Sequence, residues 1–127
     1  MFRRARPEPQ TDPRLDPYRR AAARVLDGEE VVGVLVIRVV TWWTLEGPFW
    51  RRRWVDAREL PEWILFPVGL TPLPDTDDGV IPAEGLDEEL RDWSTGVFAL
   101  RGRLLGLDWL DHEEADALHR KHGWADG

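Results

Sequence analysis

The chain of 127 residues contains no cysteine. This absence excludes disulfide bonds, a thiolate nucleophile, thiolate metal sites and the small secreted domains that disulfides hold together. The longest apolar run, residues 31–43, contains Arg38 and is too short for a membrane-spanning helix, which needs about 20 apolar residues. The N-terminal MFRRARPEPQTDP has prolines and polar residues where a signal peptide would have an apolar stretch. We therefore expect a cytoplasmic protein without a membrane partner.

The sequence also lacks the common signatures of catalysis. It has no GxGxxG pattern and no phosphate-binding loop, and neither Ser94 nor any threonine lies in a nucleophile elbow. No cofactor is expected for this reason. A pair of carboxylates working as general acid and base would show only in three dimensions, so a small enzyme stays open as an alternative.

The composition is that of a globular protein, with 43% hydrophobic and 32% charged residues. The length is that of one domain. Residues 1–13 combine arginine, proline and polar residues without periodicity, which predicts a flexible tail. We expect residues 14–127 to form a single α+β domain.

Charge is distributed unevenly along the chain. The net charge is −7, but residues 1–58 carry a net +4 and residues 59–127 a net −11. An acidic total without a lysine-rich run argues against nucleic acid as a partner. The segment 75–92 holds eight acidic residues and one arginine, which is typical of a solvated surface and could also steer a basic protein partner. The acidic residues assigned to this partner surface are Asp75, Asp77, Asp78, Glu84, Asp87 and Glu88.

Periodicity predicts the order of the elements. Apolar residues at helical spacing predict an N-terminal helix that begins at Asp16 and ends at Gly28. The β-branched and aromatic run 31–43 predicts a long strand, and residues 63–66 a short one. Residues 86–93 predict a short helix, and residues 97–107 one strand or two short ones. Asp111 and Glu114 predict the capped start of a C-terminal helix, and Gly123 its end.

The central expectation is an antiparallel hairpin over residues 31–55, packed by the N- and C-terminal helices. With Leu45 to Pro48 as its loop, the hairpin pairs Trp43 with Trp50 and Arg38 with Val55. One face then holds Trp43, Trp50 and Trp54, and we expect these three rings to be buried because together they are too apolar to leave in water.

The other face of this hairpin carries the candidate binding residues. They are Arg38, Trp42, Phe49, Arg51 and Arg53. Burying an arginine without a partner costs several kcal/mol of folding free energy, so the three arginines of this set need an anion nearby. An internal carboxylate, such as that of Asp56, Glu59 or Glu62, would make them structural. A ligand or protein carboxylate, or a phosphate, held by an arginine fork would make them functional.

A metal site in the last helix is weighed and set aside. His112, Asp116 and His119 lie on one side of the predicted helix, with His122 nearby. His112 and His119 are two helical turns apart, about 10.5 Å, which one ion does not bridge easily. Helix capping and the helix dipole explain these residues without a metal.

These observations favour a non-enzymatic acidic interaction protein, of the adaptor, inhibitor or immunity type, that binds a protein partner through charge-complementary surfaces. The alternative is a small enzyme or small-molecule binder whose tryptophans and arginines line a pocket for an anionic or aromatic ligand. The oligomeric state does not follow from the sequence.

Overall fold

The computed structural model describes residues 8–68, 80–100 and 102–121. These residues form a five-stranded antiparallel sheet with strand order β3-β2-β1-β5-β4. The strands are β1 (Ala21–Asp27), β2 (Glu30–Glu46), β3 (Arg53–Pro67), β4 (Val97–Leu100) and β5 (Arg103–Trp109), and the α-helices are α1 (Leu86–Ser94) and α2 (His112–Lys121). Short 3₁₀ helices cover Pro13–Tyr18, Phe49–Arg51 and Ala83–Gly85. The coarse expectation of an antiparallel α+β fold is confirmed.

The predicted N-terminal helix is wrong. Its first part is the 3₁₀ helix Pro13–Tyr18, and its second part is β1, the central strand of the sheet. Because β1 pairs with both β2 and β5 and packs on both faces, consecutive Ala22 and Ala23 are both buried, which imitates a helical pattern. Gly28, interpreted as a helix end, lies with φ +66° in the tight turn from β1 to β2.

The sheet curls strongly. Trp63 on β3 and Phe98 on β4 meet edge to face with ring centroids 5.1 Å apart, although these two strands are the opposite edges of the sheet. In a flat sheet they would be about 19 Å apart, since neighbouring strands are spaced by about 4.8 Å. The curl encloses the main core between the sheet, α1 and the 3₁₀ helix Pro13–Tyr18.

The core has two parts, one on each face of the sheet. The main cluster, on the inside of the curl, contains Leu15, Tyr18, Val25, Leu35, Ile37, Leu65, Ile81, Leu86, Leu90, Trp93, Phe98 and Leu105. The smaller cluster lies where α2 covers β1 and β2, and it contains Ala22, Val36 and Ala115. Helix α2 packs on this second face, and strand β1 occupies the part of the chain where an N-terminal helix was expected.

The hairpin of β2 and β3 exists, but its predicted register is wrong. Trp43 lies opposite Ala57 and Arg38 opposite Glu62, so β3 is shifted by seven residues from the expected pairing. The predicted loop, Leu45 to Pro48, is shorter than the observed one. The observed loop also contains the 3₁₀ turn Phe49–Arg51, and β3 begins to pair with β2 only at Arg53. From Asp56 onward this odd shift also exchanges the two faces of β3, whereas at Arg53 and Trp54, beyond a bulge at Thr44/Leu45, the shift is six residues and the faces stay as expected.

The second half of the chain follows the sequence pattern more closely. Helix α1 lies where the 86–93 periodicity predicts it, and residues 97–109 form the two strands β4 and β5. The Asp111 carboxylate accepts a hydrogen bond from the Glu114 backbone N–H at 2.8 Å, which confirms the start of α2. Gly123, the predicted end of this helix, lies outside the described residues.

Residues at the end of the predicted tail contact the sheet. The Gln10 N–H donates to the Ala57 carbonyl at 3.0 Å, and the Asp12 N–H donates to Glu59 Oε1 at 2.8 Å. These contacts lie along the outer edge of β3. A flexible tail over 1–13 and a single domain over 14–127 stay predictions, with residues 1–7 outside the described range.

Candidate interaction surface at the hairpin tip

The hairpin of β2 and β3 extends well beyond the rest of the sheet. Residues 30–37 of β2 pair with β1, whereas residues 38–46 pair only with β3. Nine residues at about 3.3 Å each give an arm of roughly 30 Å. We call residues 42–55, at its far end, the arm tip.

The base of this arm is held by an ion pair. Arg19 donates two hydrogen bonds to the carboxylate of Glu59, with Nη1 to Oε2 at 2.5 Å and Nη2 to Oε1 at 2.7 Å. The Glu59 side chain is only 11% exposed. The guanidinium of Arg19 lowers the pKa of Glu59 below its usual value, with the Asp12 N–H as a further cause. The N-terminal segment is thereby fixed against β3.

Two half-buried tryptophans stiffen the arm tip. Trp43 on β2 and Trp54 on β3 meet edge to face, with centroids 6.3 Å apart and an interplanar angle of 71°. Their burial is partial, so the expectation that they lie inside holds only in part. They form an apolar base beneath the loop that joins the two strands.

The loop itself presents aromatic rings to solvent. The Arg51 N–H donates to the Pro48 carbonyl at 2.8 Å, which closes the turn, and Gly47 enters it with φ +107°. Phe49 is 83% exposed and Trp50 75% exposed. The prediction that Trp50 is buried is wrong, because the 3₁₀ turn removes it from the strand where it was expected to pair.

Exposed apolar side chains are concentrated here. Of the eight large apolar side chains that are exposed within the described ranges, five belong to the arm tip: Trp42, Leu45, Phe49, Trp50 and Val55. Each large aromatic ring offers about 150 to 250 Å², so Phe49 and Trp50 alone approach the 300 to 600 Å² of the largest patch on a typical monomer. Most of the large exposed apolar side chains of the described ranges are therefore gathered on one projecting arm tip.

Three consecutive arginines surround this patch. Arg51, Arg52 and Arg53 are exposed, and none of them forms an ion pair with a carboxylate of the described residues. They border an open, shallow depression of about 540 Å³ together with Gly47, Pro48 and Trp50. The arm tip therefore combines apolar rings with three arginines that form no ion pair within the described residues.

Arg38 does not join the other predicted site residues. Its Nη2 lies 2.9 Å from Glu62 Oε1, directly across the two strands. Eight residues of β2 separate it from Glu46, the residue opposite Arg53, which corresponds to about 26 Å. The predicted arginine fork of Arg38, Arg51 and Arg53 is therefore not formed. Arg38 instead contacts an internal carboxylate, that of Glu62, which is the structural alternative to ligand binding.

The predicted acidic surface is only partly described. Asp75, Asp77 and Asp78 lie outside the described residues. Glu84, Asp87 and Glu88 are exposed at the start of α1, where Asp87 forms an ion pair with Arg14.

A groove near these acids is not evident from the sequence. It has a volume of about 400 Å³, lies between β3, α1 and β4, and is lined by Trp63, Val80, Ile81, Pro82, Gly85, Glu88, Glu89, Asp92 and Ala99. We call it the acidic groove. Burial raises the pKa of Glu89, and the nearby carboxylates of Asp92 and Glu88 raise it further. The helical spacing of the three acids was visible in the sequence, whereas the approach of Trp63 and Ala99 depends on the curl.

The histidines of α2 have structural surroundings. His119 is fully buried, with Nε2 3.2 Å from the Ala21 carbonyl oxygen, and burial lowers its pKa. Asp116 lies 3.2 Å from Arg120 and 3.8 Å from Arg20, while His112 is exposed. His122 is outside the described ranges. Among the residues that are described, no three histidine or acidic side chains are grouped to hold a metal ion.

Neither α-helix of the described ranges has the length and apolar character needed to cross a membrane. Comparison of the chain with protein-family models, with curated proteins and with solved structures finds no match.

Proposed function

We propose that this chain is a non-enzymatic interaction protein, of the adaptor, inhibitor or immunity type, that works in the cytoplasm and binds a protein partner through charge-complementary surfaces. The observation that carries the proposal is the arm tip. Phe49 and Trp50 project from it almost fully exposed, beside three arginines that pair with no described carboxylate.

The chemistry of the arm tip suits a protein partner. Tryptophan and arginine are among the residues most enriched at the centres of protein interfaces. The arm tip carries them on a hydrogen-bonded turn above the Trp43–Trp54 pair, so few side chains need to be ordered on binding. Arginines beside the rings fit partner carboxylates through paired hydrogen bonds.

The proposed contact differs from the predicted one in three positions. Trp42, Phe49, Arg51 and Arg53 stay in it, and Trp50 and Arg52 join them because both are exposed. Arg38 contributes less to partner binding in this proposal, since Glu62 already accepts its hydrogen bond. The acidic residues Glu84, Asp87 and Glu88 form a second surface, which would attract a basic partner.

The depression at the arm tip gives weaker support to the small-molecule alternative. A ligand site usually encloses most of its ligand. The depression beside Trp50 is open to solvent and has polar backbone and arginines along its rim. A protein surface, which supplies the missing wall itself, fits this shape better.

Capture of partners from native lysate tests the proposal. The bait proteins are the wild type, F49S/W50S and R51A/R53A, with L104S as the matched control because Leu104 is equally exposed on β5. We expect the first two variants to lose specific partners by about tenfold or more, as for interface hot spots, while the control keeps them.

Stability measurements make that result interpretable. Surface substitutions usually change the free energy of unfolding by about 0.5 kcal/mol or less, so both tip variants should melt like the wild type. Partners that are captured equally by the wild type and both tip variants would show that the arm tip is not the contact.

A further inference from the structure

The arm tip and the acidic groove have opposite charge and complementary shape. The arm tip is convex and carries Arg51, Arg52 and Arg53 beside two exposed rings. The groove is concave, with Trp63 and Ile81 among its apolar walls and three carboxylates at its side. Arg91 lies 3.9 Å from both Glu88 and Asp92 and offsets only part of that charge.

These two surfaces are too far apart to meet within one chain. Arg53 begins β3 and Trp63 lies ten residues later on the same strand, a distance of about 33 Å at the usual rise. The strand that separates them is paired along its length with β2 and cannot fold back on itself. Contact between the arm tip and the groove therefore requires two molecules.

We propose that a second copy of this chain is a partner of the arm tip, and that two chains form a twofold dimer in which each arm tip docks in the acidic groove of the other. This inference rests on the proposed function, because it takes the arm tip as an interaction surface. It names the partner as the chain itself.

The separation along β3 favours a closed pair. In both copies the arm tip and the groove are about 33 Å apart. When the two copies lie antiparallel, each arm tip is therefore level with the groove of the other copy. Both contacts then form together, as in a twofold interface where each side contributes the same patches. A single head-to-tail contact would leave one arm tip and one groove free at each end and continue into a filament.

The size of the two contacts is adequate. Phe49 and Trp50 of one copy bring about 300 Å² of exposed surface, and the groove covers them with a comparable area. Two such contacts bury on the order of 1,200 Å², at the lower limit for specific protein interfaces. The dimer should therefore be reversible and sensitive to salt, since charged groups form much of each contact.

The protonation of Glu89 agrees with this arrangement. Burial and the neighbouring carboxylates raise its pKa in the single chain. An arginine from the second copy would favour the charged form and lower the pKa again.

Charge reversal provides the test. We would measure molar mass by sedimentation and light scattering across roughly 1 µM to 1 mM for the wild type, R51E/R52E/R53E and E88R/E89R/D92R. Each variant alone places like charges in both contacts and should be monomeric. In a mixture of the two variants, both contacts regain opposite charges, so a dimer that contains one copy of each should form.

Two further variants serve as controls. E29R/E30R reverses the charge of two exposed acids at the turn from β1 to β2, outside both surfaces, and should dimerise as the wild type does. E88Q/E89Q/D92N removes the charge of the groove with little change of shape. It tests the role of this charge even if E88R/E89R/D92R does not fold. It should weaken the dimer by about tenfold or more.

The outcomes separate the two proposals. A wild type that stays monomeric over this range, or reversed variants that do not pair when mixed, overturns the second copy as partner. If the tip variants then still lose their partner from lysate, the proposed function stands with a different protein. If the wild type instead binds vesicles containing anionic lipid, seen as a blue shift of tryptophan fluorescence that F49S/W50S does not show, and captures no protein, both proposals are overturned.

Discussion

Arg19 and Glu59 lie 40 positions apart in the chain and join through two hydrogen bonds of 2.5 and 2.7 Å. Their contact fixes the 3₁₀ helix Pro13–Tyr18 to the base of the arm. Arg19 also reaches the Asp16 carboxylate, at 2.8 Å. The pair is thus the main polar link between the N-terminal segment and β3.

Removing this pair should destabilise the protein measurably. E59A leaves the half-buried Arg19 without its main partner, and we expect a loss of about 2 kcal/mol in the free energy of unfolding, reduced from the buried-pair value because Arg19 is about one-third exposed. Urea denaturation measures this change. D56A breaks the exposed Arg58–Asp56 pair and is the matched control, with no change expected.

Acid should act through the same carboxyl group. The pKa of Glu59 is lowered in the folded state. The carboxylate therefore stabilises the fold fully above the ordinary glutamate pKa, and this stabilisation is lost as the pH falls through the folded-state pKa. The melting temperature of the wild type should therefore fall below about pH 4.3. The variant E59Q should show a smaller fall over the same pH range, and an equal fall would assign the acid sensitivity to other groups.

His119 should produce a separate effect nearer neutral pH. Burial lowers the pKa of His119 in the folded protein, so at pH values between the folded and unfolded pKa the unfolded chain binds a proton and the folded protein does not. Stability should decline as the pH falls below about 6.5, the unfolded value, and continue to decline until the folded pKa is reached. Arg20 acts in the same direction and Asp116 against it.

A glutamine substitution isolates this effect. H119Q keeps a side-chain donor for the Ala21 carbonyl but cannot titrate. Its melting temperature should depend less on pH than that of the wild type between about pH 5 and 7. Identical profiles for the two proteins would mean that His119 does not titrate in this range.

The loop at the arm tip depends on Gly47. A Cβ atom at this position would lie 2.5 Å from the carbonyl oxygen of Arg51, and its φ of +107° is rare for other residues. We expect G47A to cost about 1 to 3 kcal/mol, as for strained backbone, and to weaken partner binding. G106A is the control, since Gly106 on β5 lies outside both proposed surfaces and the added atom would meet nothing closer than 3.6 Å.

The hairpin register can be tested with cysteines, because the natural chain has none. Val40 lies opposite Leu60, so V40C/L60C should form a disulfide on mild oxidation. V40C/R53C reproduces the pairing expected from the sequence, but its two positions are about 23 Å apart along the strands and should not join. Mass spectrometry of the oxidised proteins distinguishes the two results.

Some elements could be predicted because their signals are local. The spacing of Leu86, Leu90 and Trp93 defines one buried face of α1, and the Asp111 cap marks the start of α2. The strand character of β2 follows from its β-branched and aromatic residues. The exposed arginines of the arm tip also follow, since charges without partners remain in water.

The wrong predictions concern the N-terminal helix and the hairpin register, both of which depend on contacts between residues far apart in the chain. Residues 21–27 form a strand since β2 and β5 pair with both of its edges, and that pairing overrides a helical apolar pattern. Arg38 lies far from Arg53 because the loop contains a 3₁₀ turn, which shifts the partner strand by six residues, and a bulge at Thr44/Leu45 adds a seventh.

The sequence by itself determined the mixed α and β character, the positions of the two α-helices, the two-ended charge and the arginine and aromatic residue types at the hairpin tip, because composition, capping and periodicity act within a few neighbouring residues. The tertiary structure alone decided which tryptophans are exposed, which arginine has an internal partner, and where a groove lies. The physical reason is that strand register and sheet curl depend on contacts between residues far apart in the chain, and a shift of one register moves every side chain to a new neighbour.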